Sequence, residues 1–335
     1  MKSLLLPPLS ALYGAVTRSR LSLYQRGTFH TTKLDRPVIS VGNMTVGGTG
    51  KTPLVEWISK TIAEHGKNVC ILTRGYGREN PQRQVVVSDG HTIIATPAEA
   101  GDEPYLLATK LIGSAAVISN IDRISAGRYA IENFDADCFV LDDGFQHLRL
   151  ARDLNVVTID ATNPWGAAEG NGELLPYGRL REPLSGLSRA DCVVLTRCDQ
   201  ANNLAALTTQ VRDLVHDRPV FESSMRPVKT LLPIAAPVAA VCAVGNPRSF
   251  FTQLRAAGYN VVLEKNYADH HAYTQHDIDR SLIEATRAGA TNLITTAKDA
   301  VKLRSLSLTL PWHVFEIEIA LQNEAEFQQL LFSVL

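Results

Sequence analysis

A glycine-rich segment between a strand-like run and a helical pattern constrains this chain more than any other part of its sequence. The segment extends from Gly42 to Thr52, ends in Gly50, Lys51 and Thr52, and follows the mostly apolar residues 37–41. In a loop of this kind the backbone N–H groups surround a polyphosphate, the lysine reaches the β- and γ-phosphates, and the final hydroxyl meets Mg²⁺. The order of strand, glycine loop and helix therefore predicts a nucleoside-triphosphate site. The alternative is a plain strand-to-helix turn.

The loop departs from the general phosphate-binding pattern at one position. That pattern places a glycine five residues before Gly50, where this chain has Thr45. Gly47 and Gly48 provide backbone freedom slightly further along the loop. The predicted nucleotide-binding residues of the loop are Thr45, Gly47, Gly48, Thr49, Gly50, Lys51 and Thr52.

A second apolar run ends in two adjacent carboxylates. Residues 138–141 precede Asp142 and Asp143, and Gly144 follows them. Glycine-loop NTPases hold Mg²⁺ with a carboxylate at the end of a buried strand. We therefore predict that Asp142 and Asp143 bind the metal ion together with Thr52, provided that this strand lies beside the first. The alternative is a turn at the surface, and the role of the nearby His147 stays open between core, turn and substrate contact.

Composition sets the broad class of the protein. The 335 residues are 45% hydrophobic and 20% charged, with a formal net charge of −1. This is the composition of a globular protein with one large domain or two domains, and it argues against a general nucleic-acid binder. The five cysteines are widely spaced and most lie in apolar runs, which favours buried free thiols.

The N-terminal segment, residues 1–34, contains five basic residues and no acidic one. Its longest uncharged run has 15 residues, whereas about 20 are needed to span a bilayer. The apolar residues Leu9, Leu12, Tyr13 and Val16 repeat at helical spacing after Pro8 and precede several arginines. This pattern predicts a helix that lies in the membrane interface. A helix that packs on the protein itself is the alternative.

We predict an α/β fold, P-loop NTPase-like, with a mostly parallel sheet and a second, smaller α/β domain. The proline-rich residues 227–237 suggest a boundary, so we assign residues 35–228 to the larger domain and residues 229–335 to the smaller one. Asp102 follows Gly101 at a predicted helix start, where a carboxylate normally serves as a cap. His270 and His271 precede another predicted helix and suit capping or ligand binding equally well.

Taken together, these segments resemble the tetraacyldisaccharide 4′-kinase family of lipid A biosynthesis, and the resemblance extends over nearly the whole chain. That family commonly has Ser or Thr where this chain has Thr45. The matching segments are residues 42–53, 73–77, 101–104, 142–147, 180–183, 269–271 and 298–302.

The resemblance implies an enzyme on the cytoplasmic face of the bacterial inner membrane. It would transfer the γ-phosphate of ATP, with Mg²⁺, to the 4′-hydroxyl of an acylated glucosamine disaccharide 1-phosphate, giving lipid IVA. By the same resemblance Asp102 is the catalytic base and works with His270, which replaces the capping interpretation, and Lys51 is catalytic. Arg123, Arg181 and Glu182 correspond to family positions near nucleotide or sugar phosphates.

Two other functional classes remain open. Residues 196–199 faintly resemble the guanine-reading sequence of GTPases, which suggests a regulatory or metallochaperone-type P-loop GTPase. A membrane-bound nucleotide sensor without transfer chemistry would also use the glycine loop, but it would not need Asp102.

Overall fold

The computed structural model describes residues 2–166, 172–216, 218–228 and 235–335. Its helices are α1 (Lys2–Gln25), α2 (Lys51–Glu64), α3 (Pro97–Ala100), α4 (Asp102–Lys110), α5 (Arg123–Phe134), α6 (Leu204–Val215), α7 (Pro247–Ala256), α8 (Gln275–Arg287), α9 (Ala297–Leu303) and α10 (Glu324–Phe332). Its strands are β1 (Val38–Asn43), β2 (Val69–Thr73), β3 (Val85–Ser88), β4 (Ala115–Ser119), β5 (Cys138–Asp142), β6 (Leu154–Asp160), β7 (Cys192–Thr196), β8 (Val220–Pro227), β9 (Pro237–Cys242), β10 (Asn260–Asn266), β11 (Asn292–Thr296), β12 (Trp312–Phe315) and β13 (Ile317–Leu321). Two short 3₁₀ turns span Leu184–Arg189 and Cys198–Gln200.

The larger sheet is a nine-stranded layer in the order β13-β8-β7-β6-β1-β5-β2-β4-β3. Its pairings are parallel except at the two edges, where β13 and β3 run antiparallel to their neighbours. β1 is buried along its whole length. Neighbouring residues face opposite sides, with Ile39 in the cluster that includes α2 and α10 and Val38 in the cluster that includes α5. Helices on both faces explain why the central strands are almost continuously apolar, and the predicted α/β fold is confirmed.

The smaller sheet contains four parallel strands in the order β10-β9-β11-β12. After β12 the chain returns to the larger sheet, because β13 pairs with β8 and α10 packs in the same core cluster as α2. The division at residue 229 stays a prediction. The prediction assigns residues 317–332 to the smaller domain together with the four-stranded sheet. In the structure these residues pack on the larger sheet, where their apolar side chains join its core. The sequence does not reveal this return, because β13 and α10 look like any other strand and helix.

Helix α1 starts earlier than the sequence pattern predicts. It begins at Lys2 and runs through Pro7 and Pro8, whereas the predicted helix began after them. Each proline removes one helical hydrogen bond, and the longer part of α1, after Pro8, remains regular. In the part of the chain that the structure describes, no helix combines the length and the apolar character that crossing a membrane requires.

Two further expectations can be checked against the described residues. All five cysteines are buried and free, as predicted. Part of the glycine- and proline-rich segment between β6 and β7, residues 167–171, lies outside the described residues, as does Pro233 in the predicted boundary.

Candidate active site

Strand pairing brings the glycine loop and the two aspartates to the same edge of the larger sheet. β1 and β5 are parallel neighbours, with Val41 opposite Asp142. The two strand ends approach so closely that a Cβ on Gly42 would lie 2.5 Å from Cβ of Phe145. Only glycine fits there, and the condition for a shared metal and phosphate site is met.

The glycine loop is held from behind by the neighbouring strands. The Thr49 and Thr158 hydroxyl oxygens lie 2.8 Å apart, and the Thr196 hydroxyl donates to the Thr49 carbonyl at 2.9 Å. Gly50 has a left-handed conformation with φ of 83°, after which α2 begins at Lys51. A helix that starts at the end of a braced loop presents its free N–H groups to an anion.

Asp143 joins two basic side chains in front of this loop. Arg181 Nη1 lies 2.8 Å and 2.7 Å from the two Asp143 carboxylate oxygens, and Lys51 Nζ lies 3.4 Å from Oδ1. Burial alone would raise the pKa of the Asp143 carboxyl, but Lys51 and Arg181 together hold it well below its usual range. Asp143 is therefore ionised, and Lys51 and Arg181 already contact its carboxylate oxygens.

Asp142 has the opposite electrostatic environment. It is buried, and its Oδ2 accepts a hydrogen bond from the Thr73 hydroxyl at 3.1 Å. Burial, followed by the negative charges of Glu103 and Asp143, raises the pKa of Asp142 to about 7. A buried carboxylate with excess negative charge around it is an oxygen donor suited to a divalent cation.

Glu182 and Arg123 lie next to these groups with different contacts. Glu182 is buried and its Oε1 accepts hydrogen bonds from Gln146 at 2.8 Å and Arg189 at 3.0 Å, so it positions two neighbouring side chains. Arg123 is 5% exposed and donates from Nη1 to the Ile121 carbonyl at 3.1 Å. Burial lowers the pKa of Arg123 to about 10, an effect that the charges of Asp142 and Asp143 oppose.

Asp102 and His270 approach the site from different sheets but do not pair with each other. Asp102 is the first residue of α4 and makes no capping hydrogen bond, so the capping interpretation was wrong. Its Oδ2 lies 3.2 Å from Lys302 Nζ on α9. His270, at φ of 61°, has its Nε2 3.1 Å from Lys298 Nζ and its ring against Tyr76. His271 instead reaches Asp277, the residue that caps α8 with Thr274.

A cleft of about 660 Å³ lies on the other side of the glycine loop. It is formed by both parts of the chain, since its walls include the loop, the end of β6, the 3₁₀ turn after β7 and the start of α7. Asn246, the N-cap residue of α7, lines the cleft, and its Nδ2 donates to Asp160 Oδ2 at 3.0 Å. The glycine loop therefore borders an open cleft between the larger-sheet part and the smaller-sheet part of the chain.

The comparison with known families identifies the chain. A family model described as tetraacyldisaccharide-1-P 4′-kinase, LpxK, matches residues 2–335. The chain belongs to this family. The family consists of ATP-dependent kinases of lipid A biosynthesis.

Relatives of this kinase match over most of their length. The chain is 41% identical over 331 residues to the tetraacyldisaccharide 4′-kinase of Geobacter sulfurreducens, covering 97% of this chain and 92% of that one. It is 38% identical over 314 residues to that of Desulfotalea psychrophila, covering 91% and 89%. The solved structure of LpxK from Aquifex aeolicus in complex with ATP has a TM-score of 0.75 at 29% identity, with coverage of 98% and 97%.

Two lysines of this kinase were not assigned a role from the sequence, although they lie in one of the segments that carry the resemblance. Lys298 and Lys302 are one turn apart on α9 and face α4, where Lys298 Nζ lies 3.0 Å from Glu103 Oε1. Their i, i+4 spacing is a visible signal, but the acidic partners belong to a distant segment. Arg197, which the sequence placed in a guanine-reading motif, instead pairs with Asp160 at 2.6 Å and donates to the Gly48 carbonyl.

Proposed function

We propose that this chain transfers the γ-phosphoryl group of ATP to the 4′-hydroxyl of tetraacyldisaccharide 1-phosphate, forming lipid IVA and ADP. The observation that carries the proposal is that the glycine loop with Lys51 and the carboxylates Asp142 and Asp143 meet at one sheet edge, in a chain that matches the family model from residue 2 to residue 335. Phosphoryl transfer depends mostly on positioning and charge neutralisation, and this edge supplies both.

The loop N–H groups and Lys51 hold the β- and γ-phosphates in this proposal. Thr52 and Asp142 would hold Mg²⁺, and the ion would supply positive charge that neutralises the phosphates. Asp142 suits this role better than Asp143, because both oxygens of Asp143 already accept from Arg181. Arg181 keeps Asp143 and Lys51 in place. Glu182 acts indirectly, because it orients Gln146 through a hydrogen bond.

Asp102 is the proposed base. The 4′-hydroxyl is a weak acid, so a group must accept its proton as the new P–O bond forms and the bond to ADP breaks. In this structure Lys302 holds Asp102, while Lys298 holds His270. The Asp102–His270 pair therefore requires these ammonium groups to move, and closure of the two sheets around the substrates provides that movement.

The membrane surface is the proposed partner of α1. Leu9, Leu12 and Val16 are 49%, 62% and 60% exposed, whereas Tyr13 turns inward and donates to the Arg181 carbonyl at 2.8 Å. The helix therefore packs on the protein through one face and exposes apolar residues on the other. Anionic headgroups suit its arginines, and an acceptor with four acyl chains stays in the bilayer. We place the enzyme at the cytoplasmic side of the inner membrane, where ATP is present.

The test is transfer of label from γ-labelled ATP to tetraacyldisaccharide 1-phosphate in detergent micelles with Mg²⁺. Asp102→Asn should lower kcat by about 10²- to 10⁴-fold while ATP affinity stays unchanged, because a general base contributes that much and does not touch the nucleotide. Lys51→Ala is the contrasting variant and should weaken ATP binding as well. Full activity in Asp102→Asn would remove the proposed base. GTP hydrolysis that exceeds ATP hydrolysis, with no label on lipid, would favour the GTPase class instead.

A further inference from the structure

The segment between β6 and β7 pairs with the first half of the glycine loop. The Val46 N–H donates to the Arg179 carbonyl at 2.9 Å. Next to this bond Thr45 and Leu180 form an antiparallel bridge, and Leu180 is 1% exposed. The backbone of Arg179 is therefore fixed beside the loop.

The side chain of Arg179 returns to the same loop residue. Its Nε and Nη2 donate to the Val46 carbonyl at 3.2 Å and 2.8 Å. The guanidinium lies against Gly47, where a Cβ would collide with Nη2. The stem lies against Gly166, where a Cβ would be 2.5 Å from the Arg179 Cβ. Two donors on one acceptor, on a side chain held by this packing, fix the direction of the Val46 carbonyl.

Two other carbonyls of the loop are bound in a similar way. Arg197 Nη1 donates to the Gly48 carbonyl at 3.0 Å, and the Thr196 hydroxyl donates to the Thr49 carbonyl at 2.9 Å. Neither donor belongs to the loop. Side chains from outside the loop therefore set the direction of three of its peptide groups.

The direction of a carbonyl also sets the direction of the N–H group that follows it. In a planar trans peptide the C=O and N–H bonds point in opposite directions. The Val46 carbonyl faces Arg179, so the Gly47 N–H points away from Arg179, and the same reasoning applies to the N–H groups after the Gly48 and Thr49 carbonyls. In the part of the chain that the structure describes, none of these three N–H groups has a backbone acceptor. They are oriented donors of the kind that a glycine loop offers to phosphate.

We infer that Arg179 is a positioning residue for the triphosphate of ATP, because it holds the Gly47 N–H in the direction of the phosphates. The inference rests on the ATP site of the proposed function. Gly47 and Gly48 leave this part of the loop with much backbone freedom, so an external donor is needed to select one orientation. A loop whose donors are already oriented loses less conformational entropy when it binds its ligand, and Arg179 thereby raises the affinity for ATP.

The experiment measures binding of the non-hydrolysable β,γ-imido analogue of ATP, with Mg²⁺, to the full-length protein in neutral detergent micelles by calorimetry. Arg179→Met should raise Kd by roughly 10- to 100-fold, the value of one charge-assisted hydrogen bond. Methionine keeps an apolar stem against Gly166. Val46 lines the open cleft, so water can donate to its carbonyl in the variant and the fold tolerates the change.

Kinetics separate positioning of the nucleotide from a part in the chemical step. In the lipid kinase assay Arg179→Met should raise KM for ATP by the same factor. It should leave kcat at saturating ATP and KM for the lipid acceptor within about twofold of wild type. A fall in kcat with unchanged KM for ATP would overturn the inference.

The matched control is Arg248→Met, which removes the same charge from an exposed position that lines the same cleft. Arg248 makes no hydrogen bond to the loop among the described residues, so Kd should stay within about twofold of wild type. Equal weakening in the two variants would show that positive charge in the cleft, and not the orientation of the loop, determines affinity. That result would overturn the inference.

A second arm observes the loop without nucleotide. In protein labelled with ¹⁵N-glycine, Arg179→Met should shift or broaden the amide signal of Gly47, whereas Arg248→Met should leave it unchanged. Weakened nucleotide binding with an unchanged Gly47 signal would mean that Arg179 contacts the nucleotide directly, and the positioning role would be wrong.

The calorimetric readout does not depend on the lipid acceptor. If the wild-type protein binds the analogue but transfers no label to lipid, the proposed function fails, and the ratio of Kd values still decides the role of Arg179. If the wild-type protein does not bind the analogue, both fail together.

Discussion

At the scale of single residues, the adjacent carboxylates Asp142 and Asp143 have opposite electrostatic roles. Asp143 is stabilised as an anion by Lys51 and Arg181, whereas Asp142 is buried beside Glu103 and Asp143 with its pKa raised to about 7. The sequence shows two equivalent aspartates at a strand end. Their difference arises from which cations the fold brings to each of them.

This contrast predicts opposite effects of two isosteric substitutions on stability without divalent cation. The folded pKa of Asp142 lies above the ordinary value, so its ionisation destabilises the fold increasingly as pH rises from about 4 to about 7. Asp142→Asn should therefore raise the free energy of unfolding in EDTA by about 2–4 kcal/mol at pH 8 and change it little at pH 4. The measurement is urea unfolding at the two pH values.

Asp143→Asn is the matched control with the opposite sign. The pKa of Asp143 is lowered, so its stabilising contribution is present above the ordinary carboxyl pKa and is lost as pH falls. Asp143→Asn should lower stability by about 1 kcal/mol at pH 8, discounted because the side chain is partly exposed. If Asp142→Asn is also destabilising at pH 8, the assignment of excess negative charge to Asp142 is wrong.

At the scale of elements, α1 combines two surfaces that its sequence does not separate. Ser10 donates to the Leu174 carbonyl and Tyr13 to the Arg181 carbonyl, so one face is held by the segment that carries Arg181. The opposite face exposes Leu12 and Val16. The interpretation that α1 packs on the protein therefore holds for one face, and the membrane interface stays a proposal for the other.

We predict that Leu12→Glu/Val16→Glu reduces binding to vesicles of anionic phospholipid by at least about tenfold. Each apolar side chain contributes roughly 1.5–3 kcal/mol when it leaves water, and a glutamate contributes repulsion instead. Flotation with vesicles measures the effect. The control is Ile283→Glu, at a residue of α8 that is 52% exposed and lies outside α1, and it should leave binding unchanged. Equal loss in both variants would show that α1 is not the binding surface.

At the scale of the whole molecule, the C-terminal segment belongs to the larger sheet. Phe327 of α10 is fully buried, with its ring 5.0 Å from that of Phe221 and 5.6 Å from that of Trp57. The chain thus passes from the larger sheet to the smaller one and back. The smaller sheet is tied to the larger one at both ends, which restricts how the two sheets move during closure.

Phe327→Ala should therefore destabilise the larger sheet by about 3–5 kcal/mol, the usual cost of removing a buried phenylalanine. Hydrogen exchange should accelerate in β7 and β8 more than in β9 and β11. Gln329→Ala, at an exposed position on α10, should change neither. Faster exchange confined to β9 and β11 would instead support an independent unit of residues 229–335.

Reading the sequence was enough to identify the glycine loop, the order of strands and helices around it and, through its motifs, the family. These features are local, because they depend on residue types at fixed spacing. The placement of β13 and the pairing of Asp102 with Lys302 are visible only in the folded chain. Each of these joins segments distant in the chain, and a charge acquires its partner or lacks one only after folding sets the distances.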